Sequence, residues 1–504
     1  METVHQYLFE SARRHADRTA LIYDGSELRY AQMAERIRAI GDLLSDAGLR
    51  KGDRVAILLA DKRRFILSVF AAMSRGLVAV PIPQGTTAAV VESVLLDCEP
   101  AALVTSAQDL SDLPASLHQQ IRCRLLVDLD PPFALPARTE LPLDGDDLAL
   151  ILYTSGTTGP RKGVLLTHRN LVQSTLNTNA FMRVNEGIRE LVALPLAHSF
   201  GFGRTRSVLF AGGTLVLTSG PLNPLAIIQA ALLHRCNGLS TVPAGIAQMM
   251  RLEALMRRIG PQMRFVELGS SPMPADRKRR LAEIFPWARI CMHYGLTEAS
   301  RSTFLDFRAD RDRLETVGRA APSVEIAVRD ERGGVVAAGS SGEISIRGPH
   351  VARGYWKDPA LSRARFTEDG WFRTGDFGFL DNDGYLYLLG RRDDVINVGG
   401  HKVTPLEVES AIREIHPDVD VCVVGVPDPA GIQGEVPVLC YVSNAGRTLE
   451  VDELAHALSG RLHDDHLPRA VYRLDRLPRS DGDKVLRREL RKLLIGEGLL
   501  EAAI

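Results

Sequence analysis

The chain has 504 residues, of which 45% are hydrophobic and 24% are charged. This length is more than one ordinary hydrophobic core supports, so we expect a globular protein of at least two domains. The formal net charge of −1 gives no support for a nucleic-acid partner or for binding to an anionic membrane.

The cysteines and the hydrophobic pattern indicate the compartment. Six cysteines are scattered along the chain without close metal or redox spacing, which is typical of a reducing environment. Residues 1–15 mix charged residues and histidines and lack the apolar core of a signal peptide. No stretch reaches the roughly 20 uncharged apolar residues of a membrane span. These features predict a cytoplasmic protein with no membrane span.

The N-terminal part of the chain alternates helical and strand patterns. The spacing of Ile37, Ile40 and Leu44, followed by Gly48, predicts a helix and its end. Further patterns predict strands over 54–59, 77–82, 102–105 and 125–129, and helices over 62–75 and 90–96. Strands that alternate with helices favour a parallel sheet covered on both faces, so the predicted fold class is α/β.

A glycine-rich stretch follows the apolar run 148–152, which predicts a buried strand. Residues 153–164 read Tyr-Thr-Ser-Gly-Thr-Thr-Gly-Pro-Arg-Lys-Gly-Val. The glycines let backbone N–H groups approach phosphate oxygens, and the hydroxyls and Lys162 add donors and positive charge. The stretch is not a Walker A loop, because Arg161 stands where the second glycine belongs and Gly163 follows the lysine.

This stretch resembles the signature loop of the adenylate-forming superfamily, which includes acyl- and aryl-CoA ligases, peptide-synthetase adenylation domains and firefly luciferase. The resemblance implies that the loop holds the phosphates of ATP through Thr154, Ser155, Gly156, Thr157, Thr158, Gly159 and Lys162. It also makes Thr154 a candidate catalytic residue. The family usually has proline directly before the lysine, whereas Pro160 here precedes Arg161.

An apolar run over 191–196 predicts a short strand that leads into Ala-His-Ser-Phe-Gly-Phe-Gly at 197–203. Its two glycines are not a dinucleotide fingerprint, because Arg206 stands at the place of the third glycine. By resemblance, His198 lies at the wall between the acid pocket and the thiol tunnel and is a candidate catalytic residue. The region from residue 191 to 220 contains no Asp or Glu. Amino-acid-activating members of the family carry an aspartate there, so an α-amino acid substrate is disfavoured.

A second motif, Cys-Met-His-Tyr-Gly-Leu-Thr-Glu-Ala-Ser at 291–300, resembles the Tyr-Gly-x-Thr-Glu motif of the family. The resemblance implies that Tyr294 stacks on adenine beside Gly295, that Thr297 contacts phosphate, and that Glu298 holds Mg²⁺ as a catalytic residue. A single carboxylate beside triphosphate oxygens is the usual protein contribution to such a Mg²⁺ site.

The position of the acid pocket also follows from the resemblance. Its predicted lining residues are His198, Phe200, Gly201, Phe202, Leu268, Gly269, Ser270, Met292 and His293. The apolar and aromatic members favour an apolar or aromatic tail on the acid, and the small members leave room for a chain or ring. The choice among fatty, aryl and short branched acids stays open.

Two polar stretches are expected to be solvated. The basic run 277–280 lies on a predicted helix and indicates a solvated helix face. The sequence His-Asp-Asp-His at 463–466 lies near a predicted helix end and favours a polar surface over a metal cluster.

The later motifs define the end of the large domain. Residues 371–376, Trp-Phe-Arg-Thr-Gly-Asp, resemble the motif whose aspartate accepts hydrogen bonds from both ribose hydroxyls, and Asp376 is the match. By resemblance, Arg391 contacts ribose and phosphate, and Asp393 is the hinge. The predicted domains are therefore an ATP- and acid-binding domain over 1–392 and a smaller, mobile α/β domain over 393–504.

The smaller domain carries two further motifs. Gly399, Gly400 and Lys402 belong to a stretch that resembles the loop closing over the thiol acceptor, where the glycines permit close approach to a pantetheine arm. Near the C-terminus, Lys484 matches the catalytic lysine that reaches the reacting carboxylate and the α-phosphate. Asp483 stands where the family has glycine. An acid at this place motivates one alternative, a catalytically silent nucleotide-binding scaffold.

The resemblance implies a two-step reaction that uses ATP, Mg²⁺ and coenzyme A. A carboxylate attacks the α-phosphate of ATP, which releases pyrophosphate and leaves acyl-AMP, and a thiol then takes the acyl group and releases AMP. The predicted enzyme is thus a carboxylic acid–CoA ligase, and the alternative acceptor is the phosphopantetheine arm of an acyl carrier protein. The failed Walker pattern disfavours a P-loop NTPase. The expected partners are a small-molecule carboxylic acid and no nucleic acid, with the chain as a monomer or homodimer.

Overall fold

The computed structural model describes residues 1–111, 113, 124–126, 141–154, 161–218, 223–399, 401–429, 432–443, 446–479 and 485–496. The side chains of residues 124–126, 402 and 496 lie outside this description. So do the predicted phosphate-loop residues 155–159, Gly400, Lys484 and the second half of the strand predicted over 125–129.

The chain divides into two compact units. Among the described residues, the first contains those of 1–154, 161–325 and 346–372, and the second contains those of 326–345 and 373–496. The domain limits expected from the sequence, 1–392 and 393–504, stay a prediction.

Helices cover the sheets of the first unit. They are α1 (Val4–Arg14), α2 (Tyr30–Asp46), α3 (Lys62–Ser74), α4 (Ala88–Cys98), α5 (Ala107–Ser111), α6 (His168–Met182), α7 (Ser199–Phe210), α8 (Pro224–Leu233), α9 (Pro243–Met250), α10 (Glu253–Ile259), α11 (Ala275–Ile284) and α12 (Pro359–Arg365). Local sequence fixes several of their starts. Asp61, for example, caps α3 by accepting a hydrogen bond from the backbone N–H of Arg64 at 2.9 Å.

The strands are numbered along the whole chain. Those of the first unit are β1 (Thr19–Tyr23), β2 (Ser26–Arg29), β3 (Arg54–Leu58), β4 (Val78–Pro81), β5 (Ala102–Thr105), β6 (Arg124–Leu126), β7 (Leu148–Thr154), β8 (Lys162–Thr167), β9 (Arg189–Val192), β10 (Thr214–Leu217), β11 (Gly238–Thr241), β12 (Phe265–Leu268), β13 (Arg289–Tyr294), β14 (Thr303–Asp306), β15 (Arg319–Ala320) and β18 (Gly354–Tyr355). Those that lie mainly in the second unit are β16 (Glu325–Arg329), β17 (Gly342–Arg347), β19 (Trp371–Leu380), β20 (Leu386–Arg391), β21 (Ile396–Val398), β22 (His401–Val403), β23 (Val419–Pro427), β24 (Glu435–Ser443) and β25 (Ala470–Arg473).

Two large sheets form the first unit within the described residues. One has the order β15-β14-β13-β12-β11-β9-β10-β1-β2, and its central strands from β13 to β1 are all parallel. The other has the order β18-β8-β7-β4-β3-β5-β6 and is parallel from β7 to β6. Parallel sheets are stable when both faces are covered, and the buried apolar residues 149–152 of β7 follow that rule. The prediction of an α/β fold with helix-covered parallel sheets is confirmed.

The second unit is smaller. Its sheets have the orders β16-β17-β19-β20, β21-β22 and β23-β24-β25. The helices described here are α13 (Pro405–Ile415), α14 (Val451–Leu458) and α15 (Arg487–Gly496). A mainly aliphatic core from β21, β22, β23, β24, α13 and α14 forms within residues 396–458 of this unit.

Two predicted features differ from the structure. The strand predicted over 191–196 is shorter, because β9 ends at Val192 and the chain turns before α7, where His198 occupies the N-cap position. The basic run 277–280 is not a uniformly solvated face. Lys278 is buried, and its Nζ donates to the carbonyl oxygens of Leu314 and Thr316.

Candidate active site

The ends of the predicted phosphate loop are fixed by strand pairing. Thr154, the last residue of β7, lies opposite Lys162, the first residue of β8. The edge strand β18 pairs with β8 in turn and places Tyr355 opposite Val164. The Lys162 ammonium lies 6.0 Å from the centre of the Tyr355 ring, within the range of a cation–π contact.

Glu298 contacts the hydroxyl of the same tyrosine. The Tyr355 hydroxyl donates a hydrogen bond of 2.7 Å to Oε1 of Glu298. The backbone supports this contact, because the N–H of Ala352 donates to the Glu298 carbonyl at 2.7 Å. One aromatic side chain therefore connects the phosphate-loop lysine with the predicted Mg²⁺ carboxylate.

The residues present fit a Mg²⁺ ion at Glu298. The carboxylate is partly exposed, and Tyr355 holds only Oε1, so Oε2 has no protein partner among the described residues. Mg²⁺ characteristically takes one or two carboxylate oxygens and completes its shell with water and phosphate oxygens. Glu298 could supply such an oxygen, and the ion would add positive charge beside a triphosphate.

The predicted adenine and phosphate contacts lie in a tight turn after β13. Leu296 and Ala299 exchange backbone hydrogen bonds at 3.1 and 3.2 Å. A Cβ on Gly295 would lie 2.4 Å from the backbone nitrogen of Arg301, so only glycine fits there. Tyr294 ends the strand with its ring largely buried, and Thr297 is partly exposed.

The predicted acid pocket brings together part of its lining. The Phe200 and His293 rings are packed edge to face, with centroids 4.6 Å apart. Gly269 lies against the imidazole, since a Cβ there would come within 2.3 Å of its Cε1. The next residue, Ser270, is exposed and has a left-handed backbone (φ +79°), which a non-glycine residue rarely adopts.

Other predicted pocket residues point elsewhere. Leu268 and Met292 lie in an apolar cluster with Val266 and Ile290. Because side chains alternate along a strand, this cluster occupies the sheet face opposite His293. Phe202 is fully buried, and its ring lies 5.6 Å from that of Phe70. Gly201 lets α7 pack on the preceding turn, since a Cβ would lie 2.2 Å from the Pro195 carbonyl oxygen.

A buried ionic cluster that includes His293 lies beside Phe200, with the Arg301 guanidinium 5.2 Å from the centre of the Phe200 ring. It consists of Glu190 on β9, Arg204 on α7, Glu267 on β12, His293 on β13 and Arg301. Arg204 pairs with Oε2 of Glu190 at 2.5 Å and with Oε2 of Glu267 at 2.8 Å. Glu267 Oε1 also lies 2.8 Å from Nδ1 of His293 and 3.2 Å from Nε of Arg301. These contacts join three strands, one helix and the turn residue Arg301 into one network.

The cluster fixes its own protonation. Burial raises the pKa of the Glu267 carboxyl, but Arg204 and Arg301 outweigh burial and hold that pKa well below its usual range. Burial lowers the pKa of His293 despite the opposing effect of Glu267. At neutral pH, Glu267 is therefore ionised and His293 is neutral.

The predicted ribose contacts lie in the second unit. Asp376 and Arg391 face each other across β19 and β20, and the guanidinium Nη1 lies 2.8 Å from the carboxylate Oδ1. The predicted hinge residue, Asp393, lies in a short 3₁₀ helix, with its Oδ2 3.4 Å from Nη2 of Arg488. Gly399 has a left-handed backbone (φ +57°), as expected for a glycine turn.

Sequence reasoning did not assign a role to Tyr355 or to the buried cluster. Residues 352–356, Ala-Arg-Gly-Tyr-Trp, also match a motif of the family, which the sequence alone indicates to be mainly structural. Glu267 and Arg301 each resemble ordinary charged residues in the sequence. Only the fold shows that they meet.

Comparison with known proteins identifies the family. A sequence model described as AMP-binding enzyme matches residues 8–356, and one described as AMP-binding enzyme C-terminal domain matches residues 407–484. A feruloyl-CoA synthase of Amycolatopsis sp is 32% identical over 492 residues, which cover 95% of this chain and 97% of the relative.

Solved structures agree with the sequence relatives. ATP-bound MatB from Rhodopseudomonas palustris aligns with a TM-score of 0.89 at 29% identity and covers 98% of this chain and 99% of its own. An o-succinylbenzoate coenzyme A synthetase from Bacillus subtilis, in complex with ATP and a magnesium ion, aligns with a TM-score of 0.84 at 29% identity and covers 96% and 98%.

The chain belongs to the AMP-binding enzyme family, the adenylate-forming superfamily. It is an AMP-forming acid–CoA ligase that uses ATP, Mg²⁺ and coenzyme A. The predictions of family, reaction class and cofactors are confirmed. Its substrate is a small-molecule carboxylic acid. Among the residues that the structure describes, no helix is both long and apolar enough to cross a membrane.

Proposed function

We propose that this ligase activates its acid at the site formed around Tyr355, and that the predicted residues have the following roles. Thr154 and Lys162 hold the phosphates together with residues 155–159. Glu298 supplies the metal ligand, Tyr294 and Thr297 contact adenine and phosphate, and Asp376 and Arg391 bind ribose. The observation that carries this proposal is the Lys162–Tyr355–Glu298 chain, because it joins the two motifs that a single triphosphate would need.

The first half-reaction brings a carboxylate against a polyanion. A carboxylate oxygen forms a bond to the α-phosphorus while the bond from that phosphorus to pyrophosphate breaks. No nucleophilic side chain is needed, so positioning and charge neutralisation carry the catalysis. Lys162 and Lys484 supply positive charge, and Tyr355 keeps the Glu298 carboxylate in one orientation.

The second half-reaction transfers the acyl group. The coenzyme A thiol gives up its proton to water, its sulfur forms a bond to the acyl carbon, the bond from that carbon to the AMP oxygen breaks, and AMP leaves. We propose that Gly399, Gly400 and Lys402 approach the pantetheine arm after a rotation about Asp393. This rotation would remove Lys484 from the acyl carbon, as domain alternation requires.

Three further points belong to this proposal. The enzyme is proposed to be cytoplasmic and a monomer or homodimer. An acyl carrier protein is the alternative acceptor. The relative named feruloyl-CoA synthase and the neighbour named o-succinylbenzoate coenzyme A synthetase both carry the name of an aromatic acid, so aromatic acids come first in a substrate panel.

The test measures both half-reactions separately. The full chain with ATP, Mg²⁺ and a panel of aryl, fatty and short branched acids should release pyrophosphate, and then AMP once coenzyme A is added. Lys484→Ala should nearly abolish pyrophosphate release but spare thioester formation from supplied acyl-AMP. The matched control is Lys492→Ala, an exposed lysine on α15, which should change neither step.

Three outcomes bear on separate parts of the proposal. No AMP from any acid would refute the whole assignment. An equal loss of both half-reactions in Lys484→Ala would refute domain alternation. Acyl transfer to a phosphopantetheinylated carrier protein, but not to free coenzyme A, would replace the acceptor alone.

A further inference from the structure

The buried cluster behind the acid pocket reaches the accessible surface through one side chain. Glu190, Arg204, Glu267 and Arg301 are at most 1% exposed, whereas His293 is 9% exposed. Beside His293 lie Phe200 and Gly269 at van der Waals distance and the exposed Ser270 in the next loop position. His293 is therefore the only group through which the cluster can contact a molecule in the pocket, as far as the described residues show.

The contacts of His293 fix its tautomer. Its Nδ1 lies 2.8 Å from the Glu267 carboxylate, and an ionised carboxylate can only accept a hydrogen bond. The proton of the neutral imidazole is consequently on Nδ1, and Nε2 carries a lone pair. Within the part of the chain that the structure describes, the polar contact of the imidazole is on its Nδ1 side, where the ring lies beside Glu267.

The charges around His293 disfavour its protonated form. Two guanidinium groups, Arg204 and Arg301, balance the two carboxylates, Glu190 and Glu267. Arg206 adds a further buried cation near Arg301, and its own hydrogen bonds go to the hydroxyls of Thr175 and Ser174. A protonated His293 would be one more uncompensated positive charge, so the imidazole offers an acceptor rather than a cation.

We propose that His293 selects the acid by accepting, through Nε2, a hydrogen bond from a neutral donor such as a hydroxyl on the substrate tail. The substrate class is therefore a hydroxylated carboxylic acid rather than a plain hydrocarbon acid or a dicarboxylic acid. Glu267 and its arginines act as positioning residues that hold the imidazole in this tautomer. This inference rests on the proposed function, because it assumes that the acid lies against Phe200 and His293.

The test compares acids that differ only at the tail. One series is para-hydroxycinnamate, cinnamate and para-carboxycinnamate. A second series is an ω-hydroxy fatty acid, its parent fatty acid and the dicarboxylic acid of the same length. The kcat/KM of pyrophosphate release should favour the hydroxylated member of at least one series by about 10- to 100-fold over both others, the cost of leaving one buried acceptor unpaired.

Variants separate selection from a merely structural role. His293→Leu should reduce the preference to about threefold or less, and His293→Gln should keep part of it because its amide oxygen can still accept. His168→Leu is the matched control. It removes another buried histidine of the first unit, whose Nδ1 accepts from the Val4 N–H, and should leave the preference ratio unchanged.

The results that would contradict the role of His293 differ from the result that would contradict the proposed function. Preference for the dicarboxylic member, equal rates across both series, or an unchanged ratio in His293→Leu overturns the inference alone. Failure of every acid to release pyrophosphate overturns the proposed function as well.

Discussion

Arg204→Met is the sharpest test of the buried cluster. Arg204 is fully buried and is the guanidinium partner of Glu190 and one of two for Glu267. The variant keeps most of the side-chain volume, and among the described residues it leaves Glu190 with the hydroxyl of Ser240, which donates at 2.7 Å. Removing one partner of a buried ion pair costs about 3–5 kcal/mol, because the other charge stays buried and uncompensated. That is a large fraction of the roughly 5–15 kcal/mol that stabilises a typical domain.

Urea unfolding at neutral pH would measure this loss. The double variant Glu190→Gln/Arg204→Met should recover part of it, since the second change removes the stranded charge, and a cycle with both single variants should give a coupling of about 1–3 kcal/mol. Arg279→Met is the matched control. Its ion pair with Asp276 is exposed, so its loss should cost less than about 1 kcal/mol.

The destabilisation by Arg204→Met should also depend on pH. An unpaired buried carboxylate has a raised folded-state pKa and binds its proton more tightly when folded. The stability deficit should therefore be largest at high pH and shrink as the pH falls through that raised pKa. An Arg204→Met protein within about 1 kcal/mol of the wild type, or a cycle without coupling, would refute the assignment of an energetically linked cluster.

Three other expectations follow from single contacts. Gly203→Ala should lower the free energy of unfolding by about 1–3 kcal/mol in urea titrations, because its Cβ would lie 2.2 Å from Nη1 of Arg301 unless that residue moves; unchanged stability would contradict this packing. Tyr355→Phe should raise the Mg²⁺ concentration needed for half-maximal pyrophosphate release about tenfold or more, since Glu298 loses its hydrogen bond, and an unchanged Mg²⁺ titration would remove that role. Burial lowers the pKa of His350 from 6.5 to about 4. Between these two pH values, His350 is protonated in the unfolded state and neutral in the folded state. Stability should fall as the pH drops through this window, by up to about 3 kcal/mol, and His350→Gln should show a flatter dependence in urea titrations at pH 7 and 5.

Elements that are determined locally could be predicted closely. The helix expected over 62–75 is α3, Lys62–Ser74, and the strand expected over 148–152 lies within β7, Leu148–Thr154. In both cases an apolar pattern with its own end signals is enough. The strand expected over 191–196 was too long because apolar character continues past Val192, whereas the chain is already turning toward the N-cap of α7.

Contacts that depend on topology could not be predicted. Tyr355 reaches Glu298 only because β18 is added antiparallel to the edge of β8, and no local pattern specifies that addition. Lys278 is a similar case. Its helix face also carries Leu281, three residues on, and the helix buries both against the segment around Leu314. Burial lowers the pKa of the Lys278 ammonium to about 8. The sequence of the basic run does not distinguish Lys278 from its exposed neighbours.

The alternation of side chains along a strand divides the predicted acid-pocket residues between two faces of the sheet. Leu268 and Met292 were grouped with His293, although residues next to each other on a strand face opposite sides of the sheet. In β12 and β13 this alternation sends Leu268 and Met292 into the apolar core and sends Glu267 and His293 toward Phe200. Parallel pairing then brings like faces together, since Glu267 lies beside Cys291 in the register while Leu268 lies beside Met292. The sheet face toward the proposed acid pocket is consequently polar and carries the buried carboxylate of Glu267, which the apolar residues of the same stretches do not indicate.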